Sequence, residues 1–142
     1  MFVDSQCLLT DGMDIDQTSG VTMYSEFAYN LGSTKDPGGG RPLYVVICVD
    51  EAVTSANSTA TIVFAVVDED DEDIDTDSVE IVQTDTIACT RLTLGKVIVI
   101  PIPSGLITKQ YIGLRATIGG ENTDSGTITA FIALDPLSNM GA

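Results

Sequence analysis

The 142-residue sequence contains no histidine and no tryptophan, and only 6 of its residues are Lys or Arg. Without histidine, the commonest general base and the commonest metal-binding side chain are both missing, and no Ser-His-Asp or Cys-His arrangement can form within one chain. No apolar run approaches the roughly 20 residues that a membrane-spanning helix needs. The sequence therefore predicts a protein that is not an enzyme, carries no cofactor and does not insert into a membrane.

Cysteine is also scarce, with Cys7, Cys48 and Cys89 far apart in the chain. An odd number of widely spaced cysteines matches neither a zinc motif nor a disulfide framework. Cys48 and Cys89 lie in apolar, strand-like runs, where buried free thiols are common. The first residues, Met1 to Asp4, lack the basic region of a signal peptide. These features indicate assembly in a reducing compartment.

Acidic residues, in contrast, are abundant: 21 of them against 6 bases give a net charge of −15. Such a chain repels the phosphate backbone of nucleic acids, whereas an electropositive protein surface remains a suitable partner. Eight of the carboxylates lie between Asp68 and Asp77, directly after the apolar run Thr59 to Val67. Because eight like charges cannot be buried unpaired, the run predicts a solvated hairpin or loop.

A calcium site is the alternative interpretation of this acidic run, since hard carboxylate oxygens suit that ion. Asp73, Asp75 and Asp77 have the alternating spacing that begins an EF-hand loop. The pattern then fails, because the sixth position is Ser78 instead of Gly and the twelfth is Thr84 instead of Glu. No metal is therefore predicted, and the three aspartates are kept as a weak calcium candidate.

The remaining pattern is that of strands and turns. Apolar runs or alternating residues predict strands near residues 21–31, 43–49, 60–67, 78–83, 86–89, 97–102, 111–118 and 128–134. About eight antiparallel strands with several long connections and no repeat favour a jelly-roll-type β-sandwich. The length suits one all-β domain over residues 1–142, with residues 1–20 as an N-terminal arm.

One aromatic group stands near the N-terminus, where Tyr24, Phe27 and Tyr29 alternate irregularly with small or polar residues. Aromatic side chains are enriched both in protein cores and at protein interfaces. The group is therefore either part of the core or an apolar strip that contacts a partner, and the sequence leaves both interpretations open.

Four segments, taken in order, resemble the capsid cement or decoration proteins of tailed double-stranded DNA bacteriophages. They are residues 30–32 with the Gly-rich loop that leads into 41–52, then 94–103, 111–115 and 125–135, and the resemblance extends over about residues 30 to 135. It implies a jelly roll on the outer surface of an icosahedral virion, assembled in the host cytoplasm. It also implies a homo-oligomer, a dimer or trimer, that cements neighbouring major capsid protein subunits. No catalytic residue is implied.

The predicted contacts with the shell or with neighbouring subunits lie in two irregular segments, residues 1–20 and 35–41. The second segment holds two of the six bases. The interface residues predicted from them are Met1, Phe2, Val3, Lys35 and Arg41. The alternative function is a carbohydrate-binding jelly-roll module for host attachment, but sugar sites usually present exposed aromatics, and here the tyrosines are scattered.

Overall fold

Two antiparallel β-sheets pack face to face in the computed structural model, which describes residues 7–31, 43–102 and 105–133. A single 3₁₀ turn, Cys89–Arg91, interrupts the strands of this described part. The strands are β1 (Leu8–Asp14), β2 (Thr22–Tyr24), β3 (Tyr29–Asn30), β4 (Leu43–Ser55), β5 (Thr61–Glu69), β6 (Val79–Gln83), β7 (Ile87–Ala88), β8 (Val97–Ile102), β9 (Tyr111–Gly119) and β10 (Thr123–Ala133).

The strand order is that of a jelly roll. One sheet has the order β1-β10-β4-β8 and the other β2-β9-β5-β6. Strands β2 and β3 both pair with β9 along the same edge, and β6 and β7 both pair with β5. The ten described strands therefore occupy eight strand positions, four in each sheet. Every described pair is antiparallel, which confirms the predicted jelly-roll-type sandwich of about eight antiparallel strands.

The core follows the alternation of the sequence. On β9, the even-numbered residues from Ile112 to Ile118 are at most 1% exposed and face the opposite sheet. The same holds on β10 for Ile128 and Ala130, so both of these strands direct one alternating apolar row into the core. Because side chains alternate between the faces of a strand, this pattern alone orients each strand.

The outer face of the first sheet carries a second, smaller apolar cluster. Val46, Phe131 and Ala133 are buried there, and Leu8, Cys48, Val97 and Val99 pack against them. The apolar run that begins at Leu43 is therefore covered on both faces of the sheet, and the strand extends beyond the end predicted at residue 49 to Ser55. Burial, followed by the charge of Asp50, raises the pKa of the Cys48 thiol.

The range 1–20, predicted as an arm, includes strand β1. Residues 8–14 pair with β10, and Leu9 and Ile15 are fully buried in the main core. Gly12 has a φ of +66° at a point where the register with β10 shifts, and such an irregular edge resists pairing with further strands. Residues 1–6 lie outside the described residues.

Candidate interaction surfaces

The residues predicted as shell contacts, Met1, Phe2, Val3, Lys35 and Arg41, all lie outside the described residues. The fold nevertheless defines where their segments leave the sandwich. Residue 7 immediately precedes the edge strand β1, and residues 31 and 43 delimit the segment between β3 and β4. The interface assignment therefore stays a prediction.

The acidic run divides into two parts, and the expectation that all of it is solvated is wrong for the first two residues. Asp68 and Glu69 belong to β5 and are only 1% and 5% exposed. The Thr108 backbone N–H donates to Asp68 Oδ2 over 3.0 Å, and the Thr108 hydroxyl donates to the same oxygen. The Lys109 ammonium lies 3.9 Å from Glu69 Oε1 and 3.8 Å from Asp70 Oδ2.

These two carboxylates can be buried because the chain following β8 supplies donors and a cation, which sequence spacing did not reveal. Even so, Asp68 Oδ1 and Glu69 Oε2 have no hydrogen-bond partner within the described part of the chain. A buried acceptor without a partner costs about 1–3 kcal/mol. The first two acids of the run are therefore buried at the end of β5 with only part of their hydrogen bonds made, and the exposed carboxylates begin at Asp70.

The exposed part of the run forms a loop that organises its own backbone. Asp71 Oδ1 accepts a hydrogen bond from the Asp73 N–H, and Asp75 Oδ1 accepts one from the Asp77 N–H. Such turns satisfy backbone donors locally. Asp73, Asp75 and Asp77, the weak calcium candidate, are all exposed. Over residues 7–31, 43–102 and 105–133, no group of three or more acidic or Cys side chains has a geometry that could hold a metal ion.

A cavity of about 330 Å³ lies at the edge of the sandwich where β7 and β8 end their sheets. Its apolar wall includes Ile87 and Leu92, and its charged residues are Arg91 and Lys96, two of the chain's six bases, and the exposed carboxylate Asp85. Among the described residues neither cation has an ion-pair partner, in contrast to Lys109 and Arg115. We call this surface the basic edge.

A second cavity, of about 250 Å³, lies at the opposite edge, between β1 and β2. Its charged residues are the carboxylates Asp11, Asp14 and Glu26, and Tyr24 forms part of its lining. Thr10 also lines it, is fully buried, and has a hydroxyl oxygen without a hydrogen-bond partner in the described structure. We call this surface the acidic edge.

The aromatic group lies only partly in the core, and its use as a contact strip for a partner stays a prediction. Tyr29 packs against the core, Tyr24 lines the acidic edge, and Phe27 is 47% exposed beside it. The Phe27 N–H donates to the Leu9 carbonyl over 2.8 Å, which closes the sandwich at this edge. No sequence pattern predicted the basic edge or the acidic edge. The proximity of Arg91 and Lys96 in a base-poor chain was the one signal that could have indicated the basic edge.

Solved structures with a similar course of the chain include infectious bursal disease virus Gx strain (14% identity, TM-score 0.49, covering 89% of this chain and 30% of that one). They also include a mutant xylanase 10C from Cellvibrio japonicus in complex with xylopentaose (14%, TM-score 0.44, 86% and 22%). A third is the infectious bursal disease virus VP2 subviral particle (13%, TM-score 0.41, 88% and 30%).

This chain thus spans under a third of each of those proteins, and similarities at this level carry no argument about function. A search of the curated proteins found no match. Within the described residues, no helix is long and apolar enough to cross a membrane. The family model named Bbp16 matches residues 10–132, from β1 to the end of β10. The chain therefore belongs to the Bbp16 family.

Proposed function

We propose that the protein is a structural component of a virion that binds the outer surface of an icosahedral phage capsid and cements neighbouring major capsid protein subunits. The observation that carries the proposal is the jelly-roll strand order, formed by the same segments that resemble phage cement proteins. Residues 43–52, 97–102 and 125–133 of those segments form the adjacent strands β4, β8 and β10 of one sheet.

The physical logic of cementing requires binding that favours the assembled shell over free subunits. A protein that binds only the assembled form stabilises it by mass action. Each copy needs only a modest contact, because an oligomer that bridges several shell subunits gains avidity from its linked sites. A rigid sandwich suits this role, since little conformational entropy is lost when a preorganised surface binds.

The charge distribution agrees with a position outside the DNA-filled interior. The net charge of −15 and the exposed carboxylates from Asp70 to Asp77 repel phosphate backbones. A basic surface of the shell is the partner that such a protein would attract. We therefore propose no direct contact with nucleic acid.

The experiment that tests the proposal is a binding assay with purified shells of the cognate phage. Because Leu9 of β1 and Ile15, which directly follows β1, are buried in the core, deletion of residues 1–20 would unfold the sandwich, and the informative deletion is residues 1–6. Occupancy is measured by co-sedimentation for the wild type, for this deletion and for the Lys35→Ala/Arg41→Ala variant.

We expect the wild type to saturate the shells at a defined stoichiometry and both variants to bind more weakly. Lack of wild-type binding to intact shells would overturn the function. Normal binding of both variants would overturn only the assignment of Met1, Phe2, Val3, Lys35 and Arg41. Circular dichroism of each variant separates weak binding from loss of the fold.

The alternative of a carbohydrate-binding module has one observation in its favour. Tyr24, Asp11 and Glu26 line the same cavity, and an aromatic face beside carboxylates can bind a sugar ring. A glycan array separates the two functions, because specific binding that Tyr24→Ala abolishes would favour the module. The absence of glycan binding together with saturable shell binding would favour the cement protein.

A further inference from the structure

The basic edge is an exception in a chain that otherwise repels its own copies. Of the four described bases, Lys109 and Arg115 are paired with acids, whereas Arg91 and Lys96 face solvent beside one cavity. Leu94, between them in sequence, is 72% exposed. Asp85 is the one carboxylate that lines this cavity, so the two cations outnumber it. With an exposed apolar residue between them in sequence, they form a surface that an acidic, partly apolar surface would complement.

The acidic edge has the complementary composition. Three carboxylates, Asp11, Asp14 and Glu26, surround its cavity, and none has an ion-pair partner within the described residues. The fully buried Thr10 supplies a hydroxyl oxygen that still lacks a donor. Phe27, 47% exposed, provides an apolar contact beside them. Each edge therefore combines charge with one exposed large apolar side chain.

The topology keeps these surfaces apart within one molecule. Strands β1 and β2 end the two sheets on one side, and β8 and the β6–β7 position end them on the other. A cavity between β1 and β2 cannot meet a cavity between β7 and β8 of the same sandwich. The complementary charges can therefore be satisfied only between two molecules.

We propose that copies of this chain associate edge to edge, with the Arg91, Leu94 and Lys96 surface of one copy seated on the acidic edge of the next. The proposal rests on the homo-oligomer of the proposed function and names its contact surfaces. Arg91 and Lys96 pair with the carboxylates, and Leu94 packs near Phe27.

Side chains, and not an extended β-ladder, hold this contact. The register shifts and positive φ at Gly12 disturb the β1 edge, and Pro101 removes a donor from β8. Because the two surfaces differ, the contact is heterologous and produces a closed ring when the rotation between copies permits closure. A trimer is one such ring, whereas a two-fold dimer is not produced by a single heterologous contact.

The test uses the full chain in solution, with sedimentation velocity at low and at high salt. The basic edge is reversed in Arg91→Glu/Lys96→Glu, and the acidic edge in Asp11→Lys/Glu26→Lys. A matched control, Asp71→Lys/Glu72→Lys, makes the same charge change on the exposed β5–β6 loop. Thermal unfolding of each variant verifies that the fold is retained.

We expect the wild type and the loop control to associate, and each edge variant to associate at least about tenfold more weakly, since several ion pairs become repulsive. Salt should weaken the wild-type contact. An equimolar mixture of the two edge variants should form hetero-complexes, and the chain carrying all four substitutions should associate with itself, because both restore opposite charges.

A wild type that stays monomeric at low salt, edge variants that associate as the wild type does, or a mixture that fails to associate would each overturn the proposal. Shell binding is measured on the same variants. A monomeric variant that still saturates shells would overturn the idea that shell binding requires the edge contact. The proposed function would then still stand. A wild-type oligomer that does not bind shells would overturn the proposed function and leave the edge contact standing.

Discussion

Ile74, in the middle of the acidic run, packs directly on Gly113 of β9. It is only 8% exposed, although carboxylates surround it in the sequence. A Cβ atom at Gly113 would lie 2.8 Å from Ile74 Cδ1, a distance that real contacts do not reach. The β5–β6 loop is therefore fastened to the outer face of its sheet by one apolar side chain, and the glycine provides the space.

Gly113→Ala should lower the free energy of unfolding by about 1–3 kcal/mol, because the added methyl group overfills this contact. Urea denaturation followed by circular dichroism measures the change. Ile74→Ala removes the opposing side chain, so the double variant should lose less stability than the sum of the two single losses. Additive effects in this double-mutant cycle would contradict the packing.

Replacing Lys109 by glutamine should destabilise the fold by about 1–3 kcal/mol, since Glu69, 5% exposed, would lose the ammonium 3.9 Å away. Arg115→Gln is the matched control, because it breaks the more exposed pair with Glu80 and should cost at most about 1 kcal/mol. Thermal and urea unfolding of both variants gives the comparison. Equal losses would argue that burial of Glu69 does not depend on Lys109.

Glu121 should make stability depend on pH. Hydrogen bonds from Ser55, and then from Asn57, lower the pKa of this carboxyl to about 2. The usual value is about 4.3. Because the folded-state pKa is the lower one, the charged carboxylate stabilises the fold above about pH 4.3, and that contribution is lost as the pH falls through about 2.

Glu121→Gln should remove this part of the acid dependence, which is measured as the difference between wild-type and variant unfolding curves over the same pH range. Since the carboxylate bonds to Asn57, it joins the β4–β5 turn to the β9–β10 turn. If the difference in unfolding free energy between the wild type and Glu121→Gln is the same at neutral and at acidic pH, the lowered pKa is not coupled to folding.

Thr123→Val should cost about 1–3 kcal/mol, because it removes a buried hydroxyl that serves two backbone groups. The Thr123 hydroxyl donates to the Ile15 carbonyl over 2.6 Å and accepts from the Gln17 N–H over 2.7 Å. Thr127→Val is the control, since the Thr127 hydroxyl has no hydrogen-bond partner in the described structure. Chemical denaturation that finds the two variants equally stable would refute the role of Thr123 in holding the chain after β1.

Much of the fold was predictable because it depends on alternation. The strands predicted at residues 97–102 and 111–118 agree closely with β8 and β9, because apolar runs and alternation are local signals of buried strands. No local pattern predicted β1, because two acids and a glycine interrupt its apolar alternation, although Leu9 within it and Ile15 directly after it are buried in the core. The shifts in its register with β10 interrupt the two-residue alternation of side chains from which a strand is predicted.

Local patterns and composition were enough to predict the all-β class, the positions of most strands and the strong negative charge, because these properties are local or additive. The burial of Asp68 and Glu69 beside Thr108 and Lys109, about forty residues away in the chain, follows instead from tertiary packing. Tertiary packing also decided that Arg91 and Lys96 face away from the carboxylates of β1. Such placements depend on which strands end each sheet, and strand pairing over long separations is not encoded in any local pattern.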